Sequence, residues 1–126
     1  MASKRLFLIK PRIKSSLDPA RECQPGESRE EFAALQTEYF ERFAPVNLET
    51  RFYIDCLIED EWSLRRWRRI ETELRKRPGS EKPLVHVERH IAFLTRLNKK
   101  RVVQIERDQR AQRKEMEALE CQPLVT

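Results

Sequence analysis

His86 and His90 sit four residues apart in the run "HVERH", a spacing that sets two imidazoles on one helical face as a pair of metal ligands requires. The run is not the H-E-x-x-H arrangement of zinc proteases. Its acid, Glu88, is in the third position and points roughly 200° away from His86 at about 100° per residue. Phe93 and Leu97 share the histidine face and no third ligand stands out, so the simpler reading is two partly buried imidazoles flanking a helical seam. A metal-dependent enzyme using His86 and His90 is the remote alternative. Cys23, Cys56 and Cys121 are odd in number and widely spaced, which argues for reduced thiols rather than a disulfide framework. None has an evident base beside it. Asp55, Glu59, Asp60 and Glu61 follow one another along a helix and therefore radiate apart, which implies no paired general acid and base. Gly26 and Gly79 are the only glycines, so there is no glycine-rich phosphate loop. No catalytic, cofactor-binding or metal-binding residue is assigned, and the chain is read as not an enzyme.

The remaining chemistry lies in "EWSLRRWRRIETELRKR", residues 61 to 77. Taking Trp62 as reference, Arg65, Arg66 and Arg69 fall within about 60° of it, whereas Trp67 lies roughly 140° round the helix. Trp67 is therefore expected in the core, and Trp62 exposed or partly covered beside guanidinium groups. Such a fan of Trp62, Arg65, Arg66 and Arg69 suits phosphates and stacked bases, or a carboxylate-bearing protein partner. The plainer alternative is pairing within the helix, Glu61 with Arg65 and Arg69 with Glu73, at about 0.2–0.5 kcal/mol each.

The elements that must position these groups are helices. Charged residues make up 37% of the chain and glycines number only 2, a profile of long, highly charged helices rather than sheets with tight turns. Residues 1–27 contain Pro11, Pro19, Pro25 and Gly26 and read as an extended basic arm with a short strand at Arg5 to Ile9. The run Ser28-Arg29-Glu30-Glu31 is a capping box that opens a first helix, with Phe32, Leu35, Tyr39 and Phe43 on one side and Pro45 at the exit. Asn47 caps a second helix that is uninterrupted to Pro78-Gly79, with an inner stripe of Tyr53, Cys56, Leu57, Leu64, Trp67 and Leu74. Asp60 and Glu71 interrupt that stripe. A third helix beginning near Pro83 carries Leu84, Val87, Ile91, Leu94, Asn98, Val102, Ile105, Gln109, Gln112, Met116 and Leu119 at 3-4 spacing. The seam dilutes after Ile105, which predicts that the end of this helix projects into solvent or against a partner. The expected fold is all-α: a long antiparallel helical hairpin of coiled-coil character, a shorter N-terminal helix packed on it, and the extended arm. Residues 28–120 form the single helical domain, and 121–126 a C-terminal tail.

The segments "PGESREEFAALQTEYFERFAP", "LIEDEWSLRRWRRIETEL" and "VERHIAFLTRLNKKRVVQIERDQ" resemble a group of uncharacterised bacterial proteins. In these a Gly-Glu start and an amphipathic helix lead to a Trp-x-Leu-Arg-Arg helix and then to an arginine- and leucine-rich one. The matching positions are Gly26, Glu27, Phe32, Leu35, Pro45, Trp62, Leu64, Arg65, Arg66, Arg69 and Glu71, within residues 24–112. The upstream "LIKPRIKSSLDPAREC" departs from the group's Asn-Ala-x-x-His-Gly-Leu-like stretch. The resemblance implies a helical fold and no reaction.

Charge is divided along the chain. Residues 1–14 carry five bases and no acid, 15–64 four and twelve, 65–77 seven and two, and the remainder ten and seven. These blocks can satisfy one another within the fold, so the net charge of +5 is weak support for a polyanion partner. The apolar run Leu6 to Ile9 is too short for a secretory signal, and no run is long enough to cross a bilayer, so a cytoplasmic location without membrane attachment is expected. The leading functional reading is a helical protein-interaction or self-association module, with Asp60, Glu71 and Asn98 setting register in a multimer. Its partner would be a second copy or another helical protein. The alternative is a nucleic-acid-associated protein using the Arg/Trp helix face.

Overall fold

The computed structural model describes residues 13–121. About 80% of these residues are helical, and no strand occurs among them. The expected strand at Arg5 to Ile9 lies outside the described residues. Four helices follow in order: α1 (Pro19–Glu22), α2 (Arg29–Phe43), α3 (Leu48–Arg75) and α4 (Glu81–Glu120). No helix among the described residues is long and apolar enough to cross a membrane.

Side-chain chemistry sets the helix boundaries. Ser28 Oγ accepts from the Glu31 amide at 3.1 Å, satisfying one of the four amides left free at the start of α2. The return bond expected from Glu31 to Ser28 is not formed; the reciprocal turn lies just upstream, where the Gln24 amide donates to Glu27 Oε1 at 2.7 Å. Ala44 ends α2 in the left-handed conformation, φ 42°, with its amide bonded to the Phe40 carbonyl, and Pro45 blocks continuation. Asn47 caps α3 by accepting from Thr50 N at 2.8 Å. The turn into α4 uses Gly79 at φ 81°. α4 starts at Glu81, two residues earlier than Pro83 suggested, because a proline is equally tolerated within the first turn, where its missing amide would have no partner.

The centre of the fold is α3, which packs against α4 along its length and against α2 on its other side. Along the first contact Arg75 meets Glu88, Glu61 meets Asn98, Asp60 meets Arg101, and Thr50 meets Gln112. The core joins Phe32, Leu35 and Phe43 of α2, Ile54, Leu57, Ile58 and Trp62 of α3, and Ile105 of α4. Burying each such side chain contributes about 1.5–3 kcal/mol. Two corrections to the expected stripe follow. Trp62 is buried at 3% exposure, with the Phe32 ring edge-on at 5.2 Å, whereas Trp67 is only partly covered and lies against His90 with ring centres 4.5 Å apart. The reason is that α3 has neighbours on two sides: Leu57 and Leu64 serve α4, while Ile54, Ile58 and Trp62 form a second line about 100° round the helix.

The arm is not wholly extended. Asp18 caps the single turn α1 by accepting from Ala20 N, and residues 13–18 run without regular structure across α2 and α3.

Candidate functional site

Two constellations join the arm to the helices. In the first, Glu27 enters from the loop before α2 and its carboxylate, 7% exposed, meets the arginine face of α3. It accepts from Arg66 Nη2 at 2.7 Å and Nε at 2.9 Å, from Arg69 Nη2 at 3.0 Å and from Trp62 Nε1 at 3.2 Å. The Arg66 fork is bidentate, the geometry in which guanidinium and carboxylate fit best. Arg66 Nη2 also donates to the Glu22 carbonyl at 3.3 Å. Hydrogen bonding to Arg66 holds the Glu27 carboxyl down to about 2, against the 4.5 of an ordinary glutamate.

This places the four residues of the fan. Trp62, Arg66 and Arg69 do converge, and they do so on an internal carboxylate. The buried Trp62 offers no ring face for stacking, a correction to its expected exposure. Arg65 lies apart, with its guanidinium 6.0 Å from the Trp62 ring centre and 3.6 Å from Glu61. The expected Arg69–Glu73 pair is replaced by Arg69–Glu27, and Glu73 pairs with Lys76 instead. Sequence reasoning missed Glu27 because its partners lie 35 to 42 residues away; the signal available was an acid in a Pro-Gly turn just before the Ser28 cap.

The second constellation is Asp55, 4% exposed on α3. Its two oxygens accept from Ser15 Oγ and Ser16 Oγ, each at 2.6 Å, and from the Ser16 amide at 3.0 Å. Gln36 of α2 donates to Ser15 Oγ at 2.9 Å and to the Leu17 carbonyl at 3.0 Å, so one arm segment ties two helices together.

The polar residues on the expected inner line of α3 are likewise consumed within the chain. Asp60 pairs with Arg101, Glu71 with Arg75, and Glu61 accepts from Asn98 at 3.1 Å. Asp60 and Asn98 thus make contacts between α3 and α4, whereas Glu71 pairs within α3. His86 is exposed and His90 is stacked on Trp67, and among the described residues no three His, Cys, Asp or Glu side chains gather closely enough to hold a metal ion. Burial pushes the Cys23 and Cys56 thiols above their ordinary range, the opposite of an activated nucleophile. No family model, curated protein or solved structure matches the chain.

Proposed function

We propose that this chain is a non-catalytic helical module that works by association with a second copy of itself. The observation that carries this is the end of α4. Met116 and Leu119 are 51% and 66% exposed, yet they continue the line that buries Val87, Leu94 and Ile105. The Thr50–Gln112 contact lies near the start of α3, so the last two turns of α4 run on beyond it. Val46 and Leu48 add exposed apolar surface at the same end. The falling order of α3 residues against the rising order of α4 residues in their contacts supports an antiparallel hairpin of coiled-coil character, whose seam then continues past its own partner helix.

Charge order favours a second copy as the occupant. Arg113 and Glu120 share one flank of that apolar line, seven residues apart. Two tails lying antiparallel set Arg113 of each beside Glu120 of the other. A catalytic role lacks support because the carboxylates that could do chemistry, Glu27, Asp55 and Asp60, are spent on arginine and serine partners. Three free thiols fit a reducing compartment such as the cytoplasm. Mass in solution tests the reading. The wild-type chain should run as a dimer, and Met116→Glu with Leu119→Glu as a monomer of unchanged helicity. A monomeric wild type, or a dimer indifferent to both changes, refutes it.

A further inference from the structure

The geometry points to a second surface, on the opposite side of α4, that binds the phosphate backbone of double-stranded nucleic acid. Lys82, Arg89, Arg96, Lys100, Arg107 and Lys114 are all exposed. Their spacings of seven, seven, four, seven and seven residues keep them within about 40° of one line along the helix. That line faces away from α3, roughly 160° from the buried Val87 and Ile105. No Asp or Glu of α4 falls within about 60° of it.

A merely solvated face on a chain this rich in acids would alternate signs and pair them at i to i+4. Cations elsewhere on the helix pair do find acids: Arg65 holds Glu61 at i to i+4, and across the helices Arg101 holds Asp60 and Arg75 holds Glu88. Among the described residues none of the six outward cations makes an ion pair. Their charge is left for a partner.

The shape of the array selects that partner. From Lys82 to Lys114 the line is straight and about 48 Å long at 1.5 Å per residue. Duplex nucleic acid is a straight polyanion on the same scale, with one charge per roughly 1.7 Å of axis and a repeat near 34–36 Å, so the array spans more than one turn. A lipid surface fits less well. Interfacial helices insert a continuous apolar face, and here that face is turned inward, leaving only Val85, Phe93 and Val103 scattered among the cations. Lysine and arginine on a helix exterior, without a side chain set to read base edges, imply binding that follows the backbone and ignores sequence. The surface is distinct from the Glu27-bound arginines of α3 and from the apolar tail, and it depends on neither.

The test is fluorescence anisotropy with two labelled DNA duplexes of unrelated sequence, titrated over a range of salt. The wild type should bind both equally, with affinity falling steeply as salt rises. Arg96→Ala, Lys100→Ala and Arg107→Ala combined should flatten the log-log slope by about 2.7, at about 0.9 for each phosphate no longer neutralised. These exposed positions accept alanine within a helix, so circular dichroism should be unchanged. Arg65→Ala with Arg68→Ala on α3 should leave the slope as it was. Absence of duplex binding at low salt overturns the proposal, as does a slope that the triple variant does not move. Competition by polyglutamate as effective, per charge, as unlabelled duplex also overturns it and assigns the face to an acidic protein.

Discussion

Replacing Glu27 by glutamine keeps the shape of the side chain and removes the charge on which Arg66 and Arg69 converge. The depression of its carboxyl from 4.5 to about 2 corresponds to about 3 kcal/mol at most, at 1.36 kcal/mol per unit. Solvent reduces this, because the Arg69 side chain is 55% exposed and that of Arg66 26%. A loss of about 1–3 kcal/mol is therefore expected at neutral pH. Urea unfolding followed by circular dichroism and tryptophan fluorescence measures it. The pH dependence has a definite sign. A carboxyl lowered in the folded state binds protons more weakly there than in the unfolded chain, so its contribution is whole above about 4.5 and is lost as pH falls through about 2. The wild type should thus lose its advantage over Glu27→Gln across that window. A difference below about 0.5 kcal/mol at neutral pH, smaller than the worth of one hydrogen bond, or one that stays constant on acidification, refutes the account.

Asp55→Ala should destabilise by about 2–4 kcal/mol, because it strands the Ser15 and Ser16 donors and the arm with them, while Asp55→Asn should cost less; shifts in urea midpoint check both. Trp62→Ala should cost about 3–5 kcal/mol, and Trp67→Ala about 1–2 kcal/mol in keeping with its partial cover. Equal losses at the two tryptophans, in the same unfolding assay, would mean that the faces of α3 are wrongly placed.

Much of this arrangement was readable from local patterns. Ser28, Asn47, Pro45 and Pro78-Gly79 act through neighbours a few residues away, so helix boundaries came within about two residues, the usual scatter of such ends. Phe32, Leu35, Leu57, Val87, Leu94 and Ile105 are buried where periodicity placed them, and Met116 is exposed where the seam thins. Periodicity failed at Trp62 and Trp67 because it was fitted as a single stripe, and a helix with two neighbours needs two. Glu27 and Asp55 were invisible for another reason. Their partners are set by tertiary approach across 39 or 40 residues, and nothing in the local spacing of charges encodes which acid meets which base.

The Asp55 contact changes what kind of folding unit this chain is. Its carboxylate is 4% exposed with the arm in place, and the groups that answer it are Ser15 and Ser16, far upstream. A species in which the helices had assembled and the arm had not would forgo three hydrogen bonds to that carboxylate, at about 0.5–1.5 kcal/mol or more for each. Those lost bonds disfavour such a half-made species. Order in the arm and order in the helices are thereby coupled, and a stretch with no regular structure of its own acts as a clasp on the two helices it joins.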